Sequence, residues 1–383
     1  VNGVNSFPLL AVPLFMLAGE LMNRGGVTNR LVKFGIGLVG HITGGLANVV
    51  VIVNMIMAGM SGSAVADAAA TGSVLIPAMK KAGYPVAFAA AIVGAAAAIG
   101  PIIPPSIPMV LIGSIAEISV ARMFAGGFIP GVMIGIALMA WTRVIAKKEH
   151  FPLEPRMACG ELLACGRESF FAIFMPLFVV GGIVSGATTP TEAAMLGVIY
   201  SLILGLIIYR ELNWRELPEI FVGTAISAGS VMLAVGGATL FGWVATAEHL
   251  GPMIAQFLVS ASGNNPLIIK GMMLVIVFVL GLLMEPIPAL VLMVPILLPV
   301  ANSIGMDPVH FGVLFTINIT IAMGMPPVGL SLMLMSSISK QPMSAVARSI
   351  VPMVAVSAVV LVFCTYVPAT VLWLPNLLMG VPK

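Results

Sequence analysis

The sequence predicts an all-α polytopic membrane protein, and three observations carry that prediction. Of 383 residues, 60% are hydrophobic and 8% charged, against about 25% charged in a soluble domain. Such a chain cannot cover itself with a polar surface. Three charge-free windows, residues 82–116, 221–247 and 349–382, each hold room for one span of about 20 residues. Apolar residues form long runs and do not alternate, so the spans are helical.

In order along the chain, the apolar runs 7–22, 32–58, 62–79, 85–99, 106–118 and 122–146 lead to the most polar stretch, 143–168. Runs 169–187 and 191–209 follow it. A second polar patch, 209–217, reads as an interfacial turn anchored by Trp214. Then come 220–247, 251–263, 267–283, 287–303, 309–323, 328–339 and 345–374. Several are too short to cross a core of about 30 Å at about 1.5 Å per residue. These sit beside Gly/Pro-rich breaks, as in re-entrant hairpins and interrupted helices.

The two halves share features at one offset. Pro77 and Pro299 are 222 apart (299−77), as are Gly83 and Gly305, Pro104 and Pro326, Pro105 and Pro327, Ser114 and Ser336, and Pro130 and Pro352. Each half runs through a hairpin-like segment, a helix ending in glycine, a Pro–Pro break and a short helix. Paired broken segments of this kind point to a transport site between repeats.

The breaks carry the chemistry. In "IGPIIPPSIP" (99–108) four prolines remove backbone donors and forbid a regular helix. Carbonyls from Gly100 to Pro105 leave the helix ladder, and at membrane depth such backbone is tolerated where it lines a cavity. Carbonyls of this kind suit a hard cation such as sodium; a surface loop is the competing reading. "MGMPPVGLS" (323–331) is the counterpart, where an ordinary kink competes. Ser61-Gly62-Ser63 forms a tight turn whose oxygens complete a cation shell or serve helix packing. Asp67 is the single charge between Phe34 and Met79. It lies four residues after Ser63, on the same helix face, and an acid at membrane depth marks function by default. Contact to ion or substrate, proton uptake, and a structural hydrogen bond within the hairpin all remain open for it. Glu285, alone between Lys270 and Asp307, is the second isolated carboxylate. Asn318 and Thr320 offer oxygens to an ion or to neighbouring helices.

Other classes are excluded. The net charge of +3 forms no basic patch for nucleic acid. Cys159, Cys165 and Cys364 make no metal pattern, and the first two read as free thiols. His41, His150, His249 and His310 lack metal spacing, and no Gly-x-Ser-x-Gly occurs, so a hydrolase has no constellation. Without a Gly-x4-Gly-Lys-Ser/Thr sequence, ATP drive has no support. A channel does not need isolated carboxylates beside two broken helices. The chain opens on Val1 with an apolar run close behind, so the natural N-terminus is expected upstream; no signal peptide is visible.

"NSFPLLAVPLFMLAGELMNRGG" (5–26), "GMSGSAVADAAATGSVLIPAMKKAGY" (59–84), "GPIIPPSI" (100–107) and "MGMPPVGL" (323–330) together closely resemble the large membrane subunit of the tripartite ATP-independent periplasmic (TRAP) transporters. The resemblance covers essentially the whole chain. It implies a non-enzymatic, sodium-driven importer of an organic acid, such as a C4-dicarboxylate or sialic acid, in the bacterial inner membrane. The implied partners are a small four-helix membrane subunit, a periplasmic substrate-binding protein and the lipid bilayer. The implied fold pairs a scaffold with an elevator-type transport domain: N-terminal scaffold helices 1–40, a first transport repeat 41–146, connecting loop and scaffold helices 147–250, and a second transport repeat with the C-terminal helix 251–383. The implied sodium site is Ser61, Ser63, Gly100, Ile103 and Pro105. Its counterpart is Gly324, Met325 and Pro327 with Glu285 and Thr320. Substrate is expected near Asp67, Ser106 and Asn318. No cofactor is implied beyond the coupling ion. A stand-alone sodium/organic-anion symporter with related hairpins is the alternative.

Overall fold

Away from water each backbone N–H needs a carbonyl within its own segment, so long apolar runs close into helices. The structure, a computed structural model, describes residues 6–381. Asn5, at the head of the first family-like stretch, and Pro382, at the end of the last charge-free window, lie outside them. Among the described residues there is no strand. The helices are α1 (Ala11–Arg24), α2 (Val27–Val39), α3 (Gly45–Ser61), α4 (Ala64–Lys81), α5 (Val86–Ala97), α6 (Ile107–Ile115), α7 (Val120–Lys148), α8 (Cys159–Val184), α9 (Pro190–Ile203), α10 (Leu217–Ala247), α11 (Leu250–Ser262), α12 (Pro266–Leu283), α13 (Pro286–Ser303), α14 (Pro308–Ala322), α15 (Leu330–Ser339), α16 (Met343–Tyr366) and α17 (Ala369–Met379). A 3₁₀ turn, Phe7–Leu10, leads into α1, and α9 widens into a π-turn, Leu204–Ile208. Among the described residues, seven helices are long and apolar enough to cross a membrane: α7, α8, α9 with its π-turn, α10, α12, α13 and α16. The chain is therefore a polytopic helical membrane protein.

Caps set the boundaries. Ser63, Ser106, Ser119, Asn265 and Asp307 each accept a hydrogen bond from the first turn of the following helix. Thr189 and Glu192 form a reciprocal capping box, with Pro190 preset for the first helical position.

Three expected segments differ from the observed ones. The run 32–58 is two helices, because residues 40–44 hold two glycines and Gly44 takes a left-handed φ of 81°. The run 345–374 is divided between α16 and α17 at Val367–Pro368, where Pro368 lacks an amide hydrogen. The polar stretch 143–168 is largely helix, since α7 reaches Lys148 and α8 starts at Cys159. Cys159 and Cys165 are free thiols there, as expected. Trp214 stands exposed in the turn between α9 and α10.

Helices α3–α7 begin at positions that recur in α12–α16 at an offset of 221 to 223 (286−64 = 222 for α4 and α13). Between these sets lies the core. From Phe88 to Ala97 every residue of α5 is buried, as is every residue of α14 from Val309 to Ala322. A helix apolar on all sides has no face for solvent and sits in the middle. Helices α4, α15 and α16 pack around α5, and the Ser331 hydroxyl donates to the Gly94 carbonyl at 3.3 Å. Helix α7 holds the first break through two glycines: Gly127 faces the Ile102 carbonyl and Gly131 the Ile103 side chain.

A side chain at Gly127 would run into backbone, which cannot give way as a side-chain tip does. Gly127→Val should destabilise the chain by about 1–3 kcal/mol, read as a lower melting temperature in detergent. Gly181→Ala, where an added methyl meets nothing within 4 Å, should leave it unchanged.

Candidate functional site

The hairpin turn between α3 and α4 and the break between α5 and α6 meet deep in the protein. Helix α3 stops at Ser61 because Gly62 takes a left-handed φ of 59°. The Ser63 hydroxyl then caps α4, accepting from the Ala66 amide at 3.4 Å, while the Ser63 amide donates to Ser61 Oγ at 3.2 Å. The Ser61 hydroxyl donates to Asp67 Oδ1 at 2.6 Å. Asp67 is 0% exposed, and its Oδ2 has no hydrogen-bond partner. The hairpin is tied further along: Thr71 donates to the Asp67 carbonyl at 2.6 Å, and the Asn54 amide reaches Thr71 Oγ1 at 3.3 Å.

The break faces this carboxylate. A Cβ on Gly100 would lie 2.5 Å from Asp67 Oδ2, and a Cβ on Gly62 would lie 2.7 Å from the Pro105 carbonyl oxygen. Only glycine allows both approaches. Residues 101–110 are all buried. The carbonyls of Gly100, Ile103 and Pro105 accept no hydrogen bond among the described residues. Ser106 is committed locally: it caps α6 by accepting from the Met109 amide at 3.2 Å and donates to the Pro101 carbonyl. The structure thus gathers Ser61, Ser63, Asp67, Gly100, Pro105 and Ser106. The Ile103 side chain turns away to α7.

The second set is dispersed. Gly324 packs on α16 through Ile350 and Val354, while Pro326 and Pro327 are exposed. Both Pro104–Pro105 and Pro326–Pro327 are cis. The Thr320 hydroxyl donates to the Thr316 and Ile317 carbonyls of its own helix. The Asn318 amide donates to the Leu274 carbonyl at 2.8 Å and faces a small cleft beside α12, away from Asp67. Glu285 is exposed at the start of α13, and no ion pair reaches it among the described residues.

A cavity of about 650 Å³ opens beside the hairpin, between α1, α4, α6, α10 and α13. Ser61, Ser63, Glu285 and Met323 line it, and so do the first turns of α4, α6 and α13. Three helix N-termini at one cavity present partial positive charge and free amides. The sequence reading missed the opposite wall. There Glu20 and Arg24 of α1 face Glu219 and Thr224 of α10. Its signals were present: Glu20 and Arg24 four apart in an apolar run, and small or hydroxyl residues at 223, 224, 227, 230 and 234 on one face of α10. No group of three His, Cys, Asp or Glu side chains placed to hold a metal occurs among the described residues.

A helical membrane domain with broken helices beside a cavity that carries a few charged and hydroxyl groups suits a permease. Residues 1–370 match the family of the DctM component of the tripartite ATP-independent periplasmic transporters, and the chain belongs to that family. The chain is 38% identical over 99% of its length, and 89% of the relative's, to the sialic acid TRAP transporter large permease protein SiaM of Vibrio cholerae. It is 37% identical over 97% of its length to the C4-dicarboxylate large permease DctM of Pseudomonas aeruginosa, of which it covers 86%. It is also 37% identical over 96% to the 2,3-diketo-L-gulonate large permease YiaN of Escherichia coli, again covering 86%. These are transport proteins and not enzymes.

Ser61→Ala removes the donor to Asp67 Oδ1 and leaves a buried carboxylate with neither oxygen satisfied. The expected cost is about 1–3 kcal/mol, seen as a lower melting temperature in detergent. Ser73→Ala, which removes an exposed bond to the Ala70 carbonyl, should have no measurable effect.

Proposed function

We propose that this chain is the sodium-coupled permease subunit of an organic-acid importer in the bacterial inner membrane. The observation that carries the reading is Asp67: a fully buried carboxylate whose Oδ2 has no partner among the described residues, facing a break in which the Gly100, Ile103 and Pro105 carbonyls accept no hydrogen bond from them. An unpaired charge in an apolar interior is costly, and a hard cation held by oxygen ligands removes that cost. Ser61, Ser63, Gly100 and Pro105 supply the oxygens of this site. Glu285 gives the second set its negative charge, with Gly324, Met325 and Pro327 contributing backbone.

The cavity supports coupling on electrostatic grounds. Its lining carries Glu20, Glu219 and Glu285 against the single cation Arg24. An organic anion entering beside these groups and Asp67 needs accompanying cations, and the helix N-termini lower the cost of its negative charge. The printed names of the relatives, permeases for sialic acid, a C4-dicarboxylate and a diketogulonate, support an organic acid as cargo. The term "large permease" supports a smaller membrane partner, and the family description supports a periplasmic binding protein. The recurrence of α3–α7 in α12–α16 supports two transport repeats that move as an elevator against a scaffold that includes α1, α8, α9 and α10.

Uptake into proteoliposomes, reconstituted with the small subunit and binding protein, should require an inward sodium gradient and no nucleotide. Its sodium dependence should have a Hill coefficient above one. Asp67→Asn should cut uptake at least about tenfold at unchanged membrane expression. Gly100→Ala should raise half-saturating sodium by about tenfold. Equal uptake with potassium on both sides would contradict sodium coupling.

A further inference from the structure

The α1–α10 wall holds groups that the proposed ion sites leave unused. Arg24 is the single cation among the cavity-lining side chains. Its Nε donates to Glu20 Oε1 and its Nη2 to Glu219 Oε1, both at 3.1 Å. Those two bonds fix the guanidinium plane, and its Nη1 hydrogens have no acceptor among the described residues. A guanidinium fixed in this way can take a carboxylate through paired bonds. On α10, Ser230 donates to the Ile226 carbonyl, as hydroxyls on membrane helices commonly do. Thr224 and Ser227 line the same cavity, and their hydroxyls make no hydrogen bond with the described residues. Thr224 is only 9% exposed as a residue, and its hydroxyl stays accessible to a ligand. A ligand hydroxyl can bond to both side chains, whose oxygens are not already committed to the helix backbone. At about 1.5 Å per residue, Thr224 and Ser227 lie roughly 7 and 12 Å along α10 from Glu219, within reach of a sugar acid whose carboxylate rests on Arg24.

We infer that the cargo is a polyhydroxylated monocarboxylate, a sugar acid, with its carboxylate on Arg24 and its hydroxyls on Thr224 and Ser227. The inference rests on the organic-acid reading and narrows it. One cation among three carboxylates suits one anionic group. A dicarboxylate would bring a second negative charge to a lining that already carries Glu20, Glu219 and Glu285. A cavity of about 650 Å³ is also far larger than a C4 acid needs.

The test uses site-directed labelling of the purified full chain. Ser230→Cys, in a Cys159→Ser/Cys165→Ser background, reports cavity occupancy through its reaction with a maleimide. Gluconate and N-acetylneuraminate serve as short and long polyhydroxy acids, and succinate as the dicarboxylate, all in sodium. At least one polyhydroxy acid should slow labelling about tenfold at a concentration where succinate has no effect. Arg24→Gln should abolish that protection, Arg24→Lys should retain part of it, and Thr224→Val should raise the protecting concentration about tenfold. Equal protection by succinate, no protection by either polyhydroxy acid, or full protection in Arg24→Gln would each overturn the inference. The rise in melting temperature of the same sample in sodium over potassium reads the ion site separately. With that rise present and no sugar-acid preference, the inference falls while the sodium reading stands. With it absent, the sodium reading fails, and labelling still decides the inference.

Discussion

Everything at this site is arranged around a carboxylate that the fold buries without compensating it. Asp67 is fully enclosed, one oxygen is held by Ser61 at 2.6 Å, and the other faces the Gly100 backbone. That placement dictates its neighbours. Gly100 must lack a side chain, because a Cβ would press on Oδ2. Gly62 must take a left-handed turn so that Ser61 and Ser63 lie on the same side as Asp67. The prolines of the break keep nearby carbonyls out of the helix ladder, and the glycines of α7 let that break sit against backbone. Thr71 and Asn54 hold the two arms of the hairpin together one turn away.

The two breaks share sequence and differ in surroundings. Around Pro104–Pro105 the chain is wholly buried between the hairpin and α7. Around Pro326–Pro327 it is exposed, with only Gly324 packed on α16. The contrast follows from what each break meets. The first faces the turn of its own hairpin, whereas Glu285, at the second hairpin turn, stands open to the cavity. The proposed second ion site is therefore the looser of the two in this structure.

Much of this was legible in the sequence, for identifiable reasons. Ser61-Gly62-Ser63, Pro104–Pro105 and Asp67 declare themselves because turn residues, missing amide hydrogens and a lone charge stand out against an apolar background. The direction of Asn318 did not. Helix α14 is buried on every side, so its pattern does not fix its rotation, and the amide turned to Leu274 rather than to Asp67. The Arg24 wall was hidden for a different reason. Glu20, Arg24 and Glu219 are nearly 200 residues apart in sequence between the two helices, and only the packing of α1 on α10 brings them together. The run 32–58 passed as one helix because the Gly44 break carries no proline or charge, and a glycine alone is a weak stop signal at membrane depth.

Hydrogen exchange of the purified chain, measured by mass spectrometry in sodium and then in potassium, probes the central claim that a cation completes Asp67 and the break together. Sodium should slow exchange in the peptides covering residues 59–72 and 98–108 at once, leave the peptide covering 159–184 unchanged, and lose this effect in Asp67→Asn. Identical exchange in the two salts across both segments, or sodium protection that persists in Asp67→Asn, would contradict the claim.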